Sequence, residues 1–449
     1  MLTMKLSQIA AICGGKLYGA DQMIQGVCID TRQASDSSLF FAFKGKHIDA
    51  HDLLEQQYEW RVGAAVVERV LNISLPHIVV KDVRDALWCI SAHWRRCWDP
   101  VIIAVTGSNG KTTVKHMLSS ILAPMDPLLH TSGNLNNEIG VPLTILALDP
   151  GHHYAVIEMG ANHPGEIARL SALVAPHVSI VTGAAAAHLE GFGTIEGVAK
   201  AKGEIYSGLP YTGTAVINVD DRFAELWENL AYPRRIVRFG LNPGADIHGK
   251  QNHASFILHT PAGEARGAWH FLGLHNWRNA LAAAAAAYAI GAAPEIIARG
   301  LSSCYPVSGR LNRLPSRHGG VLIDDSYNAN PGSLKAAIQV LANQPAPRIL
   351  LLGDMAELGK DAEHWHRKAG LWAKEMGISS LWTTGELACL SAHSFGGRAH
   401  TFKDSGTMGR YAIHHIPAGA SILVKGSRCA HMERVVESLR DQSQVAKEL

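Results

Sequence analysis

The hydrophobic pattern of this chain repeats one phrase. A short, nearly uninterrupted apolar run ends in glycine or aspartate, and a longer stretch with apolar positions at helical spacing follows. Near the start the runs are short: "GVCID", "SLFFAFKG", "AAVVE" and "HIVVKD". From position 101 they lengthen to "VIIAVTG", "YAVIEMG", "VSIVTG" and "TAVINVD". A segment crowded with proline, glycine and arginine intervenes, "YPVSGRLNRLPSRHGG" (305–320), and the phrase resumes with "GVLIDDSYNANP", "RILLLGDM", "SSLWTTGE" and "ASILVKGSR". Strands that are apolar on both faces belong inside helix-covered sheets, and strand–helix alternation is the rhythm of a mostly parallel sheet. The pattern predicts an α/β chain of three modules with a hinge at 305–320. These are a small α/β module over 1–98, a central, mostly parallel sheet with helices on both faces over 99–313, and a Rossmann-like module over 314–449. The opening "MLTMKLSQIAAICGG" reads as a first helix rather than a signal peptide, because a glutamine and a serine break its apolar patch. "LAAAAAAYAI" (281–290) is too short for a membrane span and reads as a buried, closely packed helix.

Composition changes this picture little. The chain has 449 residues, of which 47% are aliphatic or aromatic and 18% charged, a globular balance spread over several domains. A net charge of +2 implies no field for nucleic acid or an anionic membrane. Seven cysteines without a CxxC pair fit a reduced, cytoplasmic setting.

The candidate chemistry is concentrated where "VIIAVT" breaks into Gly107-Ser108-Asn109-Gly110-Lys111-Thr112-Thr113. A glycine turn between a strand and a helix is the setting of a P-loop, in which backbone N–H groups at the helix N-terminus point at a phosphate. Lys111 would reach the outer phosphates and the Thr112 hydroxyl would hold Mg²⁺. Only two residues separate the glycines, shorter at its front than the usual P-loop unless Thr106 and its neighbours complete the turn. Such a loop needs an acid at the end of a neighbouring strand, and "YAVIEMG" offers Glu158. His188 follows the strand "VSIVTG", Lys202 lies in the next helical stretch, and "TSGNLNNEIGVP" (131–142) sets three asparagines around a glycine turn.

The motifs "TSGNLNNEIGVP", "IEMGANHPGEI", "HLEGFGTIEGVAKAKGEIY", "GLHNWRNALAAAAAA", "DDSYNANPGSLKAAI" and "LLLGDMAELG" resemble, in this order, those of the Mur ligase family. These are ATP-dependent amide-bond-forming enzymes of peptidoglycan precursor synthesis. Within the family the motifs look most like the member that adds D-alanyl-D-alanine to UDP-N-acetylmuramoyl-tripeptide. The DNPR motif of the sibling that adds a diamino acid is not found. The resemblance implies a central P-loop ATPase-type domain, with residues 107–113 and Lys111 on ATP, and Thr112 and Glu158 on a first Mg²⁺. His188 and a Lys202 carbamylated by CO₂ would hold a second Mg²⁺. Asn276 and Asn279 would meet adenine, Arg310 the nucleotide, and Asp325 the ribose. Asn134 and Asn137 would lie near the γ-phosphate and the sugar-peptide. Thr31, Arg32, Lys44 and Asp49 would form the uridine diphosphate site, Asn328 and Asn330 would touch substrate, and Lys425 and Arg428 would receive a carboxylate. A cytoplasmic monomer with two small-molecule substrates, no nucleic acid and no membrane span is expected. A folate polyglutamate-type ligase, another Mur-type ligase and a P-loop regulatory switch are the competing readings.

Overall fold

A computed structural model describes residues 1–45, 48–56 and 61–441. The long apolar runs form one six-stranded, all-parallel sheet. Its spatial order is Arg235–Phe239, Thr214–Asn218, Val178–Val181, Val101–Thr106, Tyr154–Glu158, Leu128–His130. Side chains alternate across a strand, so each central run must satisfy two cores at once. Ile102 and Ala104 join one core with Ala155 and Ile157, whereas Ile103 and Val105 join the other with Val156. The helix Lys111–Leu122 packs on the second face against Leu274–Ala289, whose run of alanines is fully buried. Small side chains permit this close approach. On the same face an added Cβ at Gly300 would come 2.4 Å from the Ile121 Cα.

The first hundred residues build a five-stranded sheet, Lys16–Tyr18, His77–Val79, Ala64–Val67, Leu39–Phe41, Val27–Cys28. The expected first helix is Leu6–Cys13, ended by Gly14 at φ 65°. This unit shares a core with the central sheet. Leu87, Ile90 and Trp94 of the helix Val83–Cys97 cluster with Val141, Leu146 and Val174. The Trp94 indole donates to Leu148 O at 2.9 Å, and the Arg95 Nε to Val174 O at 2.8 Å.

The last sheet runs Asn312–Pro315, Val321–Asp325, Ser421–Lys425, Arg348–Gly353, Ser380–Thr384, Ala399–Phe402, parallel except for its first strand. Asn312–Pro315 lies within the expected hinge and divides it into a turn before the strand, where Gly309 (φ 74°) and Leu311 (φ 51°) are left-handed, and a turn after it over 317–320, where Gly319 has φ 75°. One element has no counterpart in the sequence reading: an antiparallel sheet of His248–Gln251, Ser255–Thr260 and Gly263–Ala268. It lays Phe256 and Leu258 against Trp269 and Trp277.

Candidate active site

The strand Val101–Thr106 ends at the carboxyl edge of the central sheet, between neighbours on both sides, the crevice where open parallel sheets bind ligands. Its turn is held by the next strand. The Thr182 hydroxyl donates to Asn109 O at 2.6 Å and Ser108 N to Gly183 O at 3.0 Å. Gly107 has φ 148°, and a Cβ there would lie 1.9 Å from the Thr182 Oγ1. The Thr106 hydroxyl is committed to Met159 O at 2.8 Å and does not extend the loop. The Lys111 ammonium folds back onto Gly107 O at 2.8 Å, and burial lowers its pKa against the opposing charge of Glu158.

Glu158 ends its strand almost fully buried and collects donors. The Thr112 hydroxyl donates to one carboxylate oxygen at 3.0 Å and the Asn136 amide to the other at 2.7 Å. The Lys115 ammonium stands 3.6 Å away and donates to Thr131 O at 2.7 Å. Thr131 closes the ring by accepting the Glu158 N–H on its hydroxyl at 2.9 Å. Sequence reading missed Lys115 and Asn136. The signal for Lys115 was its place one turn beyond Lys111, on the face of the same helix that carries Thr112. Asn136 lies between Asn134 and Asn137. Asn137 lines the cavity too, but its amide oxygen accepts Gly140 N at 2.9 Å and organises the turn into the helix Gly140–Leu146.

Above this edge sits a cavity of about 400 Å³ with one wall from each half of the molecule. The P-loop, Asn134, Asn136, Glu158 and His188 face Arg310, Tyr327, Asn328, Asn330 and Glu357. Two contacts span it. The Asn330 amide donates to Asn109 Oδ1 at 2.7 Å while its own oxygen caps the helix Pro331–Ala342, and His188 Nδ1 meets Glu357 Oε2 at 2.6 Å. That hydrogen bond holds the Glu357 carboxyl below its ordinary range. Arg310 lies over the Tyr327 ring at 4.1 Å.

A smaller cavity of about 140 Å³ brings together Asn276, Asn279, Arg310 and Asp325, with Gly110 and Thr113 of the loop. The four residues expected around a nucleoside thus converge from three separate segments, the helix Leu274–Ala289, the turn at 309–311 and the strand Val321–Asp325. Lys425 is placed differently from its expectation. It is buried beside Asp325, its register partner on the adjacent strand, and donates to that carboxylate and to Asn328 O at 2.9 Å. A buried ammonium takes the nearest anion, so its charge is spent within the protein rather than on a substrate carboxylate. Burial pushes the Asp325 carboxyl up and the Lys425 ammonium down. Arg428 is exposed, 5.7 Å over the outer side of Tyr327.

Four expected residues lie on the first unit, and none lines either cavity. Arg32 is exposed and paired with Asp30 at 2.7 Å, beside Thr31 in the same turn. Lys44 and Asp49 face each other in an isolated bridge, and Asp49 also holds the buried His51 at 2.7 Å. Lys46 and His47 of the same stretch lie outside the described residues.

The expected metal set is only partly assembled. Thr112 and Glu158 touch, His188 is engaged by Glu357, and Lys202 is buried in the helix Ile195–Gly203. The Lys202 Nζ is 3.4 Å from Ala161 O and 5.2 Å above the Phe192 ring. Burial first, and then the Lys111 charge, lower its pKa to about 7.

Fold and site define a P-loop protein whose nucleotide-sized cleft is closed by a second α/β unit. The Mur ligase middle domain matches residues 105–287 and the Mur ligase glutamate ligase domain matches 309–428, and the chain belongs to this family. It is 42% identical, over 98% of its length and 99% of the relative's, to the UDP-N-acetylmuramoyl-tripeptide–D-alanyl-D-alanine ligase of Escherichia coli. Among solved structures it resembles MurF of Acinetobacter baumannii, with 34% identity, TM-score 0.91, and coverage of 97% of this chain and 98% of that one. It also resembles the MurF ligase of Thermotoga maritima in complex with ADP, with 25% identity, TM-score 0.80, and coverage of 95% and 99%.

Proposed function

We propose that this protein uses ATP to join D-alanyl-D-alanine to the terminal carboxylate of UDP-N-acetylmuramoyl-tripeptide, a step of peptidoglycan precursor synthesis carried out in the cytoplasm. The observation that carries the reading is the buried Glu158 carboxylate paired with the Thr112 hydroxyl beside the P-loop, facing a cleft lined from both halves. Kinship with ligases named for this reaction supports the choice of substrates.

A carboxylate is a poor electrophile, and an amine meeting it directly only forms a salt. In the proposed sequence the tripeptide carboxylate displaces ADP from the γ-phosphoryl group, giving an acyl phosphate. The free amine of D-alanyl-D-alanine then adds to its carbonyl, and the tetrahedral adduct expels phosphate and a proton to leave the amide. Lys111 leaves Gly107 O for the outer phosphates, where its charge and the N–H groups at the helix start meet charge that grows during transfer. Asn276, Asn279 and Asp325 hold the nucleoside between the two halves, and Asn134 orients the acceptor near the γ-phosphate. Closure of the cleft excludes water that would hydrolyse the acyl phosphate.

Among the described residues no group of three or more His, Cys, Asp or Glu forms a protein-only metal cage. One carboxylate beside one hydroxyl is the sparse set that suits Mg²⁺, which takes its remaining ligands from phosphate and water. Thr112 and Glu158 would hold the first ion, and His188 with a carbamate on Lys202 the second. Bound there, these ions supply neutralisation of the phosphoryl oxygens. The carbamate is supported by the state of Lys202: a buried amine with one long hydrogen bond and a pKa near 7 is substantially in the free form that attacks CO₂. The test is phosphate release measured with each substrate omitted in turn. Release should require the tripeptide nucleotide and D-alanyl-D-alanine together. Release indifferent to the dipeptide would refute the ligase reading and favour a nucleotide-hydrolysing switch.

A further inference from the structure

Across the main cleft, two residues in unusual backbone conformations hold one another. His188 (φ 53°) precedes the short helix Leu189–Phe192, and Glu357 (φ 61°) belongs to the loop after Arg348–Gly353. Left-handed backbone is uncommon away from glycine, and it persists only where the surroundings enforce it. The segments press together beyond this hydrogen bond: Leu189–Phe192 packs on the turn Gly359–Asp361, where a Cβ on Gly359 would sit 3.6 Å from the Glu190 Cα. The Glu357 side chain is 54% exposed and that of His188 26%. A half-exposed histidine–carboxylate hydrogen bond adds little stability, less than two left-handed non-glycine residues cost. The contact therefore calls for an explanation other than stability.

Its geometry supplies one. Glu357 engages Nδ1 at 2.6 Å and leaves Nε2 as the nitrogen free to bind a ligand, on a ring that lines the cavity. A carboxylate on the far nitrogen is how proteins fix the tautomer and orientation of a metal-binding histidine and raise its basicity. We propose that Glu357 is a positioning residue for the second metal ion. It fixes His188 in the Nε2-ligating form, and because it comes from the C-terminal unit, that site is complete only when the two halves are docked. The inference rests on the reading of His188 as a metal ligand.

The test is a Mn²⁺ titration of the full-length protein with a non-hydrolysable ATP analogue, free Mn²⁺ being read by electron paramagnetic resonance. The native protein should bind two ions. Glu357→Ala should keep the first at native affinity and bind the second about 10- to 100-fold more weakly. Glu357→Gln, which keeps an acceptor without the charge, should fall between, and His188→Ala should lose the second ion. Native or tighter binding of the second ion by Glu357→Ala would overturn the proposal, and loss of that ion in His188→Ala would leave the metal reading standing. Equal weakening of both ions would also overturn it, marking a general docking contact. A second ion retained by His188→Ala, or a single ion on the native protein, would overturn both.

Discussion

Three lysines surround the candidate site, and each is handled by a different device. Lys111 is parked on a backbone carbonyl, Lys115 on a carbonyl and Glu158, and Lys202 on a distant carbonyl and an aromatic face. Lys111 can leave its partner without breaking the carboxylate ring around Glu158, whereas Lys115 cannot. Lys111→Ala is therefore expected to fold normally and to lose about 2.7–4 kcal/mol of transition-state stabilisation, read as kcat in the phosphate-release assay beside an unchanged circular dichroism spectrum. Lys202 makes a prediction about stability. Its ordinary pKa of 10.5 falls to about 7 in the folded chain, so between these values the unfolded state holds a proton that the native state lacks. The unmodified protein should gain stability as pH rises through that window. In CO₂-free buffer, Lys202→Met should gain less by an amount on the order of a few kcal/mol in urea unfolding, and parallel pH curves for the two proteins would contradict the burial argument. Added bicarbonate should stabilise the parent and leave Lys202→Met unmoved.

At the scale of elements, the loop 107–110 shows what a motif demands of its surroundings. Gly107 needs both its positive φ and its missing Cβ, because Thr182 fills the space where that Cβ would stand and holds the carbonyls of Thr106 and Asn109 on either side of it. Gly107→Ala should cost about 1–3 kcal/mol from backbone strain, with the Thr182 clash in addition, and should weaken ADP binding measured by calorimetry. ADP affinity equal to the parent's would show that the loop relaxes freely. The strands that were legible were those buried on both faces, such as Val101–Thr106 and Tyr154–Glu158, because burial on two sides leaves no polar position to blur the run. The sheet over 248–268 was not legible. One of its strands reads "HGKQ" and another "GEARGA", and only Ser255–Thr260 carries adjacent bulky apolar residues. Its stability comes from the tryptophans it covers, which lie outside its strands.

At the scale of the whole molecule, the first unit and the central sheet share a core, whereas the C-terminal unit faces them across cavities. Excision at the first boundary should then be costly. A chain truncated to 99–449 would uncover the surface that met Leu87, Ile90 and Trp94, each side chain worth about 1.5–3 kcal/mol of burial. Such a chain should aggregate or bind a hydrophobic dye, and a stable, dye-silent monomer would contradict the shared core. The C-terminal unit is joined through residues 305–311 and by polar contacts such as Asn109–Asn330.

What the sequence by itself determined is local: the phosphate turn, the strand that feeds it, the acid on the neighbouring strand and the order of the three α/β units. Each follows from residues adjacent in the chain, where backbone sterics and hydrophobic spacing act directly. Tertiary structure alone decided how polar groups were shared out. Asn136 rather than its neighbour reaches Glu158, 22 residues away; Lys425 answers Asp325, 100 residues away; Glu357 finds His188 across the cleft. A buried charge or amide is satisfied by whatever strand register and docking bring within about 3 Å, and no spacing along the chain encodes that distance.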